Sequence, residues 1–247
     1  MPVYAHNDYE NRRPLHEALE RGLRGVEVDL FLVDGVLRVG HDRGKARRGA
    51  TLETLYLAPL DSLVAICNAL TVDSRPFLLA IELKQSSAAA YDSLGRLIRR
   101  HRRLFAPRSG GVGPAVEIVL VGWHPRVAPA APASDTSLPI QFRLTSRKPE
   151  TVPHRSGRVR MISIDYGKSI GPWWSIARIR REWLATLRRV KAESPGRLLR
   201  VHNLPPDAAL HAVLLDTGVD LIGVRDLAGA DTFFGRTPGF GKSSGHN

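Results

Sequence analysis

Eight short apolar stretches recur along this chain, and amphipathic stretches of helical period separate most of them. The apolar runs are Val3–His6, Gly25–Leu32, Phe77–Lys84, Val116–Gly122, Pro139–Leu144, Met161–Tyr166, Leu198–Val201 and Val219–Val224. Strands joined through helices run parallel, because the helix carries the chain back to the starting edge. Eight such units in 247 residues predict an α/β fold, a single (β/α)8 TIM barrel. An open doubly wound sheet is the alternative, but "HNDYEN" follows the first strand where a dinucleotide binder carries G-x-G-x-x-G. A further run, Val36–Gly40, pairs with the second strand through Asp34-Gly35, so a β-hairpin extension is expected after strand two.

The helical stretches read consistently with this frame. "PLHEALERGL" places Pro14 in a first helical turn and Leu15, Ala18, Leu19 and Leu23 on one face. "SSAAAYDSLGRLIRRHRRLF" and "WWSIARIRREWLATLRRVKAES" repeat the pattern, and "PDAALHAVLLDTG" stops at Gly218. Cys67, the single cysteine, is expected to be a buried helical residue, and no intrachain disulfide is possible. The barrel is expected over 1–234, with 235–247 a flexible C-terminal tail and the Pro/Ala-rich stretch after Gly122 an irregular loop. Trp173-Trp174 read as packing at a helix start.

Composition decides which partners are excluded. No apolar run approaches the roughly 20 residues of a membrane span. The first residues lack the order of a secretion signal, so the expectation is a cytoplasmic protein, or a secreted one whose leader has been removed. A net charge of +12 favours anionic partners, yet the cations are scattered and no nucleic-acid-binding motif organises them. No specific nucleic acid partner is expected, and oligomeric state is not legible.

Chemistry concentrates where strands end. In "GVEVDLFLV" Glu27 and Asp29 share one strand face, opposite Val26, Val28 and Leu30. Two carboxylates there repel each other unless something positive lies between them. In "FLLAIELK" Glu82 and Lys84 share a face in the same way. Brought together at a barrel mouth, Glu27, Asp29 and Glu82 make an oxygen-only cage for a hard divalent cation, Mg²⁺ or Ca²⁺. Lys84 beside them is a candidate phosphate clamp, with a simple ion pair as its alternative. His6 and His41 each end a strand near this cluster, and a phosphodiester needs one group to take a proton and another to give one.

Together, His6-Asn7, Glu27-x-Asp29, His41-Asp42 and Glu82-x-Lys84 resemble the glycerophosphodiester phosphodiesterases. Those enzymes form one TIM-barrel superfamily with phosphatidylinositol-specific phospholipase C and the sphingomyelinase D-like lyases. The resemblance is dense over 3–84, is nearest to a branch with a His-Asn-Asp-Tyr start, and thins beyond. It implies that His6 and His41 are the acid/base pair, that Glu27, Asp29 and Glu82 hold the metal, and that Lys84 steadies the phosphoryl oxygens. Two departures stand out: Asn7 replaces an arginine that follows the first histidine, and His202-Asn203 stand where an aromatic often lines the pocket.

Asn7, Lys84, Trp123 and His202 are read as substrate contacts. For His202, a third proton carrier and a hydrogen-bonded core histidine remain open. Asp8 either orients a histidine or caps its loop, and Asp42 is read as structural. Asp165-Tyr166 occupy a mouth position and are read as pocket residues, or Asp165 as an arginine partner. The expected activity is that of a divalent-metal-dependent phosphoric diester hydrolase acting on a small-molecule or lipid phosphodiester. Two alternatives are a non-catalytic binder of polyanions (nucleic acid or anionic lipid) and a Zn/Mn hydrolase with the histidines as ligands.

Overall fold

A computed structural model describes residues 1–67, 70–71, 73, 75–85, 87–108, 113–122, 140–144, 159–169 and 177–234, with main chain alone at 140–144, 177–179 and 232–233. Nine strands form one sheet: β1 (Val3–Ala5), β2 (Gly25–Val33), β3 (Val36–Val39), β4 (Phe77–Leu83), β5 (Val116–Val121), β6 (Ile140–Leu144), β7 (Val159–Asp165), β8 (Leu198–His202) and β9 (Leu221–Val224). Their order is β1-β9-β8-β7-β6-β5-β4-β2-β3, and β1 also pairs with β2. Eight parallel strands therefore close on themselves, while antiparallel β3 flanks β2 as the expected hairpin. Asp34 and Gly35 turn that hairpin, both at positive φ (50° and 78°), which matches the right-handed twist of the paired strands.

The helices are α1 (His16–Glu20), α2 (Arg43–Arg48), α3 (Ala58–Cys67), α4 (Ala88–Arg100), α5 (Arg102–Phe105), α6 (Tyr166–Ser169), α7 (Ala177–Ala192), α8 (Ala208–Asp216) and α9 (Leu227–Phe234). The face predicted for α1 is inward, with Leu15, Ala18, Leu19 and Leu23 all buried. Its start is later than expected: Pro14 stands before the helix, and Leu15 takes a strained φ of 62° to enter it. Cys67 is helical but exposed, contrary to expectation. It closes α3 beyond the turns that carry buried Leu60 and Val64, where the helix has left the core.

Alternation along each strand divides the interior in two. Outward-facing Val26, Val28, Leu30, Leu79, Ile81 and Ile118 pack beneath the helices of the first half. Ile162, Ile164, Leu199, Val201 and Ile222 do so beneath α7 and α8. Leu78, Val119, Met161 and Leu221 form a separate buried group inside the barrel, and Tyr4, Ala80 and Val121 form another. The lumen is a packed core rather than a pore, so its polar residues collect toward the C-terminal strand ends, where such barrels place their sites. Close approach is essential at Gly25, where a Cβ would come 2.3 Å from the Leu78 carbonyl oxygen. Among the described residues no helix is long and apolar enough to cross a membrane.

Candidate active site

Strand register brings the predicted acidic residues together. Asp29 of β2 lies directly opposite Glu82 of β4, and Glu27 stands one lumen-facing step below Asp29. One carboxylate oxygen from each of the three lies within 4.8 Å of the others. That spread suits one ion at the roughly 2.0–2.6 Å bond lengths of Mg²⁺ or Ca²⁺. No histidine nitrogen joins this group among the described residues, which favours the oxygen-only set over the Zn/Mn arrangement.

Asp29 is loaded asymmetrically. Its Oδ2 accepts from the Tyr9 hydroxyl at 2.7 Å, and His41 Nδ1 at 3.1 Å and Lys84 Nζ at 3.0 Å also lie against it. Its Oδ1 is buried with no hydrogen-bond partner among the described residues. A bare, buried carboxylate oxygen costs free energy unless a cation meets it, so the donor set fits a dication. Lys84 also reaches Glu82 Oε2 at 3.0 Å. Burial opposes its charge, but Glu82 and Asp29 outweigh that effect and raise its pKa. Its position here is that of an ion-pair partner to two of the three carboxylates. Burial raises the pKa of Glu82, Lys84 works against the rise, and Asp29 and Glu27 add to it.

Glu27 is held from below by a residue that the sequence reading passed over. Arg200 of β8, 1% exposed, donates from Nη2 to Glu27 Oε2 at 2.5 Å. Its guanidinium lies 4.2 Å from the Tyr4 ring centroid, and the Tyr4 hydroxyl donates to the same Glu27 oxygen at 3.3 Å. Burial opposes the charge on Arg200, but Glu27 and the surrounding groups raise its pKa further. With Lys84 it brings two positive charges to three negative ones. A signal was available: Arg200 and His202 share a strand face at the spacing of Glu27 and Asp29. Tyr4, counted as part of an apolar run, and Tyr9 were missed in the same way.

The two histidines differ in setting. His41 ends the hairpin, and its side chain is 53% exposed. An ionised Asp29 can only accept, so a bond between them places the proton on His41 Nδ1 and turns Nε2 outward. His6 follows β1, and its backbone N–H donates to the Val224 carbonyl at 2.8 Å. Its Nδ1 is buried without a partner among the described residues, and burial lowers the pKa to about 4, with Glu27 acting against that and Arg200 and Arg225 reinforcing it. His6 is therefore a neutral imidazole near pH 7.

The remaining expectations divide. Asp8 caps its loop: its Oδ2 accepts from the Leu15 N–H at 2.6 Å and from the Tyr56 hydroxyl at 3.0 Å. Burial raises the Asp8 pKa to about 6 against those bonds. Asn7 is buried at a left-handed φ of 53°, which turns the chain after His6. Asp42 caps α2 by accepting from the Lys45 N–H at 2.8 Å, a structural role as expected. His202 is buried, with Nδ1 3.2 Å from Ser163 Oγ and its ring edge-on to His6 at 5.4 Å. Asp165 accepts from Asn203 Nδ2 at 2.9 Å, and no arginine partner is found for it among the described residues. Tyr166 points away from the mouth, packing on Trp183 in the outer layer. Trp123, Trp173-Trp174, the loop after Gly122 and the tail lie outside the described residues.

Comparison with known proteins extends the resemblance read from the sequence. Residues 1–78 match the family described as the AIM6-like phosphodiesterase domain. That stretch carries His6, Glu27, Asp29 and His41, while Glu82, Lys84 and Arg200 lie beyond it. Altered inheritance of mitochondria protein 6 homolog of Arthroderma benhamiae is 34% identical over 74 residues, 28% of this chain and 24% of that protein. Altered inheritance of mitochondria protein 6 of Lachancea thermotolerans is 46% identical over 63 residues, 24% of this chain and 14% of that protein. The chain thus matches a quarter or less of the length of these relatives. Crystal structures of glycerophosphodiester phosphodiesterases share the fold. That from Agrobacterium tumefaciens superposes with a TM-score of 0.55 at 16% identity, covering 92% of this chain and 97% of its own. That from Parabacteroides distasonis gives 0.52 at 11%, covering 98% and 89%. The family match over residues 1–78 agrees with the resemblance read from the sequence, and the two crystal structures show the same barrel fold.

Proposed function

We propose that this chain is a divalent-metal-dependent phosphodiesterase acting on a glycerophosphodiester or phospholipid-type phosphodiester. The observation that carries the reading is Asp29, with three groups on Oδ2 and, among the described residues, none on Oδ1, set between Glu27, Glu82 and an imidazole. Glu27, Asp29 and Glu82 hold the ion. When bound, it polarises a non-bridging phosphoryl oxygen and withdraws charge from phosphorus.

The chain's own groups supply the proton transfers. His6, kept neutral by burial, takes the proton from the attacking hydroxyl, either a water or a neighbouring hydroxyl of the substrate. His41, fixed through Nδ1 on Asp29, gives a proton from Nε2 to the leaving oxygen in the doubly protonated form of its ring, and keeps the Nδ1 proton on Asp29. Tyr9 donates to Asp29 and so holds the carboxylate that orients His41. Arg200 holds Glu27 in place from the lumen side.

The test is turnover of a panel of phosphodiesters with Mg²⁺, Ca²⁺ and a chelator. His6→Ala and His41→Ala should each reduce kcat by about 10²- to 10⁴-fold. Turnover within threefold of wild type in both variants contradicts the assignment. Glu27→Gln separates this reading from a polyanion binder, whose affinity is indifferent to that change and falls steeply with salt.

A further inference from the structure

Beside His6, between β8, β9, α8 and α9, lies a pocket of about 250 Å³. It is smaller than the roughly 300–1,000 Å³ that encloses a whole small ligand, so it suits one substituent of a substrate rather than all of it. Leu204, Pro205, Pro206, Val224 and Ala230 form its walls. Gly223, also on its border, lets β9 pack closely on β8, since a Cβ there would come 2.8 Å from the Cβ of His202.

The polar side chains on its border are turned to protein partners. Asn203 donates from Nδ2 to Asp165 at 2.9 Å, and Asp226 Oδ1 accepts from the Gly229 N–H at 3.0 Å. His211 Nε2 lies 3.2 Å from the Pro205 carbonyl, and its ring stacks on Phe234. A polyol in this space would leave hydroxyl groups desolvated and poorly paired, whereas hydrocarbon would lose nothing. The exception is the mouth. There His6 is joined by Arg225, exposed, one residue past β9 and without an ion-pair partner among the described residues. The pocket thus carries one guanidinium, Arg225, beside the carboxylate of Asp226, and is walled by apolar side chains.

We infer that this pocket takes an apolar substituent of the phosphodiester, a short alkyl or acyl segment, while Arg225 at its mouth holds the phosphoryl group. The inference rests on the phosphodiesterase reading and narrows it toward lipid-like substrates over fully deacylated ones.

The experiment uses sn-glycero-3-phosphocholine and its 1-O-butyl and 1-O-hexyl ethers as soluble monomers. For wild type, kcat/KM is measured with Mg²⁺ or Ca²⁺, and Kd is measured by calorimetry in chelator. The hexyl ether should exceed the parent in kcat/KM by about tenfold or more, with Kd following the same order. Leu204→Trp and Ala230→Leu should bring that ratio toward one by filling the space. Arg225→Gln should lower kcat/KM for all three compounds alike, by about tenfold. Should both filling variants fail to fold, the chain-length ratio in wild type decides alone. Hydrolysis of all three compounds at equal efficiency overturns the pocket assignment and leaves the phosphodiesterase reading standing. Chain-length-dependent binding without turnover does the reverse. Neither turnover nor chain-length dependence overturns both.

Discussion

Asp8 and His6 sit two residues apart, and burial shifts each toward its neutral form, with opposite consequences for stability. His6 falls to about 4 in the folded chain, so its neutral form is favoured by folding. That contribution is complete above the unfolded value near 6.5 and is lost as pH falls toward 4. Asp8 rises to about 6, so its contribution is complete below about 3.8 and is lost as pH rises through 6. Over the shared window the two slopes oppose each other. The expected outcome is that the difference in unfolding free energy between wild type and His6→Gln shrinks by about 3 kcal/mol from pH 6.5 to 4. Chemical denaturation of both proteins across that range checks it, and a flat difference contradicts it. Arg200 yields a second prediction at this scale. Arg200→Met removes the guanidinium that meets the buried Glu27 carboxylate, and should cost about 3–5 kcal/mol. The double variant Glu27→Leu/Arg200→Met should recover most of that loss, which denaturant midpoints would show.

Strands carry these residues to one place, and the interior of the sheet tolerates little change. Gly25→Ala puts a methyl group against the Leu78 main chain and forces β2 away from β4. A loss of about 1–3 kcal/mol is expected. Dication affinity should fall with it, because Asp29 and Glu82 face each other across the same pair of strands. Gly35→Ala has open space and only an unfavourable φ of 78°, so it should cost about 1 kcal/mol and leave affinity unchanged. Equal effects on affinity would deny that the β2–β4 spacing sets the site. What could be read beforehand follows the same division. Glu27, Asp29, Glu82, His6 and His41 were legible because alternation and strand ends are local patterns. Arg200 was not, because its meaning depends on barrel closure. Only then does β8 face β2 across the lumen, 173 residues away in sequence, so the alternation of Arg200 and His202 marked a shared face but not Glu27 as its partner. Cys67 was misread because burial depends on where α3 outruns the core, which helical period does not encode.

At the scale of the whole molecule, a net charge of +12 coexists with a concentrated acidic site. Such a charge draws anions toward the chain, while the three carboxylates at the lumen end would, on the proposed reading, take a dication. Arg200 and Lys84 offset part of the acidic charge, so the site is expected to stay folded without the ion and to gain stability with it. The most direct measurement is a calorimetric titration of Mg²⁺ or Ca²⁺ into chelator-stripped protein, paired with thermal unfolding. The account predicts one saturable site per chain that disappears in Asp29→Asn. It also predicts a stabilisation of about 2.7 kcal/mol when the ion is present at about a hundred times its Kd. Absence of saturable binding, or binding that survives Asp29→Asn unchanged, would contradict it.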